Sequence, residues 1–202
     1  PHCNPKALSK QLLESLDRLQ ASTIDIYMMH RDNTGIPVSE FVDVLNEHQR
    51  AGRIKIFGGS NWTIERLEEA NAYANTKGLN GFTAISNNFS LARMVEAPWD
   101  GCLASSDPQW RDWLTRTQTP LMPWSSQARG FFVRARTDDR SDEEMVRCWY
   151  SDDNFQRLSR AGEMAARRGT KPINVALAYV LSQPFPTFPI IGPKNFTETR
   201  SC

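Results

Sequence analysis

The chain has 202 residues, 40% hydrophobic and 23% charged, the proportions of an ordinary globular domain. Lysine and arginine total 24 against 23 acidic residues, a net charge of +1, which predicts no large electrostatic footprint for nucleic acid or a membrane surface. No apolar run approaches the ~20 residues that cross a bilayer and no basic-then-apolar leader opens the chain, so a cytoplasmic protein is expected.

Cys3, Cys102, Cys148 and Cys202 are scattered, with no Cys-x-x-Cys pair and only His2 beside Cys3, so reduced thiols and no metal site are expected. Asn4-Pro5 predicts a helix start, with Leu8, Leu12, Leu16 and Leu19 as its apolar stripe. The run Ile24 to Met29 then reads as a buried strand that delivers His30 to its carboxyl end. Ser39 is the expected cap of a second helix, whose face holds Phe41, Val42, Leu45 and His48 and which Gly52 ends; among its charged neighbours His48 reads as solvated or half-buried.

Ile54 to Phe57 predicts a second strand, tipped by Gly58-Gly59-Ser60-Asn61, and Thr63 to Gly78 a third helix. Phe82 to Ser86 reads as a short third strand, followed by an irregular stretch from Asn87 to Ser106 and a helix capped by Asp107-Pro108. A fourth strand is expected over 120–124, with Pro120 and Pro123 near its ends, where a missing N–H does least harm. The charge-dense span from Arg134 to Glu144 predicts a solvated loop or lid. Helices over 153–169 and 172–183 and a fifth strand over 188–192, tipped by Pro193-Lys194-Asn195, complete the pattern.

Helices and strands alternate with short connections, which implies α/β architecture around a parallel sheet with polar residues at the carboxyl ends of the strands. The residues alone leave two readings of each tip. His30 is a site residue or a strand-end histidine bonded to a loop carbonyl, and Ser60-Asn61 are ligand contacts or part of a helix cap. Trp124 is a ligand platform or core packing, and Lys194 a phosphate contact or a solvated lysine.

Taken in order, Ser15-Leu16-Asp17-Arg18-Leu19, Ile24-Asp25-Ile26-Tyr27 with His30, Gly58-Gly59-Ser60-Asn61-Trp62, Trp124-Ser125 and Ile191-Gly192-Pro193-Lys194 resemble the aldo-keto reductases. The resemblance covers about Asn4 to Lys194 and implies a (β/α)8 TIM barrel, here incomplete, with about five βα units over residues 1–202. It also implies reduction of a small-molecule aldehyde or ketone by hydride from NADP(H), ahead of NAD(H). By the same resemblance His30 orients the substrate carbonyl, Ser60 and Asn61 bind the nicotinamide carboxamide, and Trp124 stacks on that ring. Ser125 and Gln127 follow the pyrophosphate, and Lys194 and Asn195 meet the adenosine-side phosphate, with Arg129 and Arg134 as further candidates.

Two departures qualify the likeness. Where the family commonly carries a glutamine, this chain offers Ser86 or, in a shifted register, Asn87 or Asn88. The family's catalytic aspartate, tyrosine and lysine lie upstream of the helix at Asn4 and are absent here, so the chain is expected to be the C-terminal part of a longer reductase, inactive alone. A sheet of five strands would need a missing segment or another chain to cover its edge. A non-catalytic nucleotide-binding or regulatory module, or one half of a fused oxidoreductase, remain the alternatives. Loop aromatics Trp99, Phe132 and Trp149 are walls of the substrate site or loop packing.

Overall fold

The computed structural model describes residues 3–200; His2 and Cys202 lie outside the described residues. Two compact units meet in sequence at Ser86 and Asn87, and each is taken by itself.

The first unit is α/β. Helix α1 (Pro5–Leu19) begins as its sequence dictates: the Asn4 side chain accepts the Ala7 N–H at 2.9 Å and Pro5 occupies the first turn. Leu8, Leu12 and Leu16 are buried, but Leu19, expected on the same stripe, is exposed beside the left-handed Gln20 that ends the helix. Strand β1 (Ile24–Met29) leads to α2 (Val38–Arg50), β2 (Ile54–Gly59), α3 (Ile64–Lys77) and β3 (Ala84–Ile85). Helix α2 starts ahead of Ser39, because Val38 already joins Phe41, Val42 and Leu45 in the core.

The three strands are parallel in the order β1-β2-β3, with Ile24 opposite Ile54, Met29 opposite Gly59, and Gly59 opposite Ile85. Gly58 is required where β2 meets β3, since a Cβ there would run into the Ala84 carbonyl oxygen and the Met28 sulfur. Trp62, Phe41, Phe57 and Phe82 fill the space between strands and helices, Trp62 lying 4.6 Å from Phe82 and 5.9 Å from Phe41, ring centre to ring centre.

The second unit is mainly helical: α4 (Pro108–Thr117), a single 3-10 turn (Ala128–Gly130), α5 (Phe131–Arg134), α6 (Glu143–Trp149), α7 (Asp152–Arg168), α8 (Pro172–Leu181) and α9 (Phe196–Arg200). Asp107 caps α4 as expected, accepting the Trp110 N–H at 2.8 Å. The strands expected over 120–124 and 188–192 are not continuous, so three strands rather than five are found among the described residues. The two segments still run side by side: Phe188 N–H donates to the Leu121 carbonyl at 2.8 Å and Ile190 N–H to that of Pro123 at 3.0 Å. Pro123 has no N–H to offer the Phe188 carbonyl, so the pairing survives only as the isolated bridge between Leu121 and Thr187.

The expected lid over 134–144 is also shorter than its charge suggests, because it is flanked by α5 and α6. Phe132 and Trp149, read as walls of a substrate site or as loop packing, are buried with Phe131, Met145 and Ala161 in this unit's core. Their helices have fewer than two turns each, yet both turn an apolar face inward.

Candidate functional site

In the first unit the polar residues collect at the carboxyl ends of three adjacent strands. His30 directly follows β1 and is exposed, whereas Ser60, Asn61 and Ser86 are buried. Ser60 N–H donates to the Met29 carbonyl at 2.7 Å, carrying the ladder one residue past β2. Asn61 then takes a positive φ of 59°, a conformation that asparagine tolerates better than most side chains. The Ser60 hydroxyl donates to the Ser86 carbonyl at 2.7 Å, while Asn61 Nδ2 donates to Ser60 Oγ at 3.1 Å and, weakly, to the His30 carbonyl at 3.5 Å.

The four expected residues of this unit therefore lie together, and three of them share one hydrogen-bonded cluster with the His30 backbone. Capping of α3 falls to Thr63, whose hydroxyl accepts the Arg66 N–H at 3.3 Å, so the cap reading of Ser60-Asn61 is not what the fold uses them for. The single Ser60 proton is committed to Ser86, so its oxygen meets any further group only as an acceptor. Ser86 itself acts here through its backbone, its N–H donating to the Gly59 carbonyl at 2.9 Å.

No tyrosine of this unit supplies an acid at the cluster. The Tyr73 hydroxyl donates to Asp43 at 3.0 Å on an exposed face. Tyr27 lies within β1, and burial followed by the nearby Cys3 pushes its phenol up from the usual value. The Cys3 thiol is likewise raised, by burial first and by Asp32 second.

In the second unit, Trp124 pairs with Asn88 in an isolated bridge, and Asn88 Nδ2 donates to the Trp124 carbonyl at 3.1 Å. Beyond it Ser125, Ala128, Arg129 and Gly130 all have positive φ, which winds the chain tightly into the 3-10 turn. Ser126 Oγ donates to the Ile190 carbonyl at 2.8 Å, fixing this loop against the 186–190 segment.

The loop frames a cavity of about 540 Å³, lined by Ser125, Gln127, Arg129, Arg134, Lys171 and Lys194, with Ile173 and Ile190 among its apolar walls. Arg129 Nε is 3.0 Å from Glu144 and its guanidinium lies 5.3 Å from the Trp99 ring centre. Arg134 Nη1 is 2.8 Å from Asp142, which also caps α6. The Met145 N–H, and after it the Arg134 guanidinium, hold the Asp142 carboxyl below the usual carboxylate range. Lys171 and Lys194 have no ion pair among the described residues.

Ser125, Gln127 and Lys194 thus share one wall system, whereas Trp124 and Asn195 adjoin it without lining it. Asn195 serves the start of α9, its Oδ1 accepting the Glu198 N–H at 2.9 Å. Lys171 escaped the sequence reading; its only signal is the following Pro172, which fixes it just outside α8 where its side chain can reach away from the helix.

This donor set suits a phosphate-bearing nucleotide: four cations, a hydroxyl and an amide face one concavity, and its carboxylate, Glu198, already accepts the Lys194 N–H at 2.6 Å. Asn88 Oδ1 and Trp124 Nε1 are buried with no hydrogen-bond partner, two polar atoms that an amide-bearing ligand could satisfy. No cluster of three or more His, Cys, Asp or Glu side chains among the described residues could hold a metal ion, and no helix is long and apolar enough to cross a membrane.

Residues 1–201 match the sequence profile of the aldo/keto reductase family. The chain belongs to this family. An aldo-keto reductase of Metarhizium robertsii is 30% identical over 195 residues, 93% of this chain and 49% of the relative. The oxidoreductase YrpG of Bacillus subtilis is 26% identical, over 96% of this chain and 56% of its own length. Norsolorinic acid reductase of Aspergillus flavus is 28% identical, over 96% and 47%. This aldo/keto reductase chain therefore spans about half the length of the curated relatives it matches. A solved thermostable aldo-keto reductase, crystallised with the inhibitor epalrestat, superposes with a TM-score of 0.73 at 18% identity, over 99% of this chain and 60% of the other. At that identity the likeness shows the fold alone, the α/β barrel type of the family.

Proposed function

We propose that the protein carrying this chain reduces an aldehyde or ketone with NADP(H), ahead of NAD(H), and that this chain contributes most of the nucleotide contacts. The observation that supports it most is the cationic cavity of the second unit, where Ser125, Gln127 and Lys194 meet Arg129, Arg134 and Lys171. Reduced nicotinamide, when bound, supplies hydride to a carbonyl carbon. The residues of each unit carry their own share of the work.

Lys194 and Lys171, free of ion pairs among the described residues, are the cations for phosphate oxygens, and the Ser125 hydroxyl and Gln127 amide add neutral donors. Trp124 offers a flat apolar face for an aromatic ring. In the first unit, Ser60 Oγ accepts from a carboxamide NH2 and Asn61 turns its own amide to the same group, with Ser86 fixing Ser60 from behind. His30, exposed at the end of β1, donates an imidazole N–H to the substrate carbonyl oxygen and so orients and polarises it. The proton for the product alcohol belongs to a tyrosine outside residues 4–194, assisted by an aspartate and a lysine, as the resemblance implies.

The test is carbonyl-dependent oxidation of NADPH and of NADH by the protein as its source cell produces it, followed by loss of the reduced-nicotinamide absorbance, alongside titration calorimetry of both nucleotides. Failure to bind either nucleotide refutes the reading. Tight binding without turnover of any carbonyl reassigns the protein to the non-catalytic nucleotide-binding class.

A further inference from the structure

The imidazole of His30 makes no hydrogen bond among the described residues, so its aim depends on the backbone that carries it. That backbone, the loop between β1 and α2, is tied down by side chains from elsewhere in the first unit. Cys3 Sγ donates to the Arg31 carbonyl at 3.2 Å, and Asn33 Nδ2 donates back to the Cys3 carbonyl at 2.9 Å. The strongest tie comes from α3. Arg66 grips Asp32 with two bonds, Nε to Oδ2 at 2.8 Å and Nη2 to Oδ1 at 3.0 Å, and Nη2 also donates to the Ile36 carbonyl at 3.0 Å.

The pair is largely shielded, with side chains 13% and 10% exposed. The same guanidinium lies 5.5 Å from the ring centre of Trp62, a buried residue that follows Ser60-Asn61. One side chain therefore braces the loop that carries His30 and packs beside the tip that carries Asn61. A planar fork with several fixed donors can do this, whereas a lysine offers one point charge and loses the two-bond geometry.

We propose that Arg66 and Asp32 are positioning residues for the reaction: together they hold the His30 loop in register with the Ser60-Asn61 tip, so that the imidazole meets the substrate carbonyl. This rests on the reading of His30 given above. The pair touches neither substrate nor nucleotide in that scheme, so its loss lowers turnover without loosening the nucleotide.

The test compares R66K, D32E and H30A with the unmodified protein as its source cell makes it, using NADPH with a panel of aldehydes and ketones that begins with 4-nitrobenzaldehyde. Turnover is counted per nucleotide-binding site, by calorimetric stoichiometry, so that misfolded protein does not enter kcat. R66K and D32E keep both charges and are the variants chosen to fold. The expected result is an about 10- to 100-fold fall in kcat for each, with the nucleotide Kd unchanged within about twofold, since small misplacements of a reacting group cost that much. H30A should fall at least as far, and adding R66K to H30A should cost nothing more. If H30A falls but R66K and D32E turn over normally per site, or if they lose nucleotide affinity as well, the positioning role is overturned and the reading of His30 stands. If H30A keeps full turnover, or the unmodified protein reduces no aldehyde or ketone of the panel, the reading of His30 fails and the positioning role fails with it.

Discussion

The Ser60 hydroxyl donates to the carbonyl oxygen of Ser86 across 2.7 Å and joins the ends of β2 and β3 beyond their last paired residues. Both residues are buried, so the bond is shielded from competing water.

Replacing Ser60 with alanine removes this bond and the acceptor that Asn61 Nδ2 uses, and it leaves a buried carbonyl without its donor. Ser60→Ala should lower unfolding free energy by about 1–3 kcal/mol in urea denaturation, with m unchanged. A loss below about 0.5 kcal/mol would mean that the strand ends are held by the ladder alone.

The parts of this fold that were legible in the sequence are those set by local rules. Asn4, Thr63 and Asp107 each cap a helix because a short polar side chain precedes a stretch with an apolar stripe, and nothing distant is needed to see it. The runs over 24–29 and 54–59 are strands because they are short, apolar and bounded by turn residues. The segments 120–124 and 188–192 carry the same apolar signal, yet Pro123, which has no N–H for the ladder, reduces their pairing to the single bridge between Leu121 and Thr187. Helices α5 and α6 were missed because four and seven residues are too few to display a helical period amid dense charge. At the candidate site, the strand-end residues were legible from their order along the chain. The grouping of Lys171 with Lys194 was not, because it depends on tertiary structure that brings the residue before α8 and the loop at Lys194 to one cavity.

His48 illustrates the same limit and carries a pH prediction. Its charged neighbours suggested a solvated or half-buried ring, but the stripe it shares with Phe41 and Leu45 buries it. Arg53 Nη1 lies 3.1 Å from Nδ1, and arginine only donates, so the proton sits on Nε2, which donates to Ser9 Oγ at 2.9 Å. Burial first, then the Arg53 charge, holds the imidazole below its ordinary value. The unfolded chain therefore takes up the proton before the folded one as pH falls. The stability this adds is complete above about pH 6.5 and is lost as pH falls through the lower folded value. His48→Gln keeps an Nε2-like donor but cannot titrate, so its urea midpoint should change less between pH 7 and pH 5 than that of the unmodified protein. Parallel midpoint curves would show that His48 does not contribute to acid sensitivity.

Lys194 tests the nucleotide reading directly. If its ammonium meets the phosphate that distinguishes NADPH from NADH, Lys194→Ala should weaken NADPH by about 1.5–3 kcal/mol more than NADH, measured as the two dissociation constants by calorimetry. The difference should shrink with added salt, since the cavity opens to solvent. Equal weakening of both nucleotides would move Lys194 to the shared pyrophosphate, and no change in either would remove it from the site.

Asn154 joins two segments of the second unit through its side chain alone. It is fully buried, its Oδ1 accepts the Arg93 N–H at 2.9 Å and an Arg157 N–H at 3.2 Å, and its Nδ2 donates at 2.7 Å to the carbonyls of both Arg93 and Trp149. One side chain therefore splices the loop at Arg93 to the junction of α6 and α7, satisfying three backbone groups that have little access to water. Asn154→Ala should cost about 3–4 kcal/mol in chemical denaturation, more than its lost volume explains, because those backbone groups are left unpaired. Asn154→Leu separates the two causes. Leucine fills the space but bonds nothing, so if the cost is polar it should be nearly as damaging as alanine, and the near-ultraviolet circular dichroism of the aromatic core around Trp149 should weaken in both. A leucine variant as stable as the unmodified protein would assign the effect of alanine to the cavity and leave the splice without energetic weight.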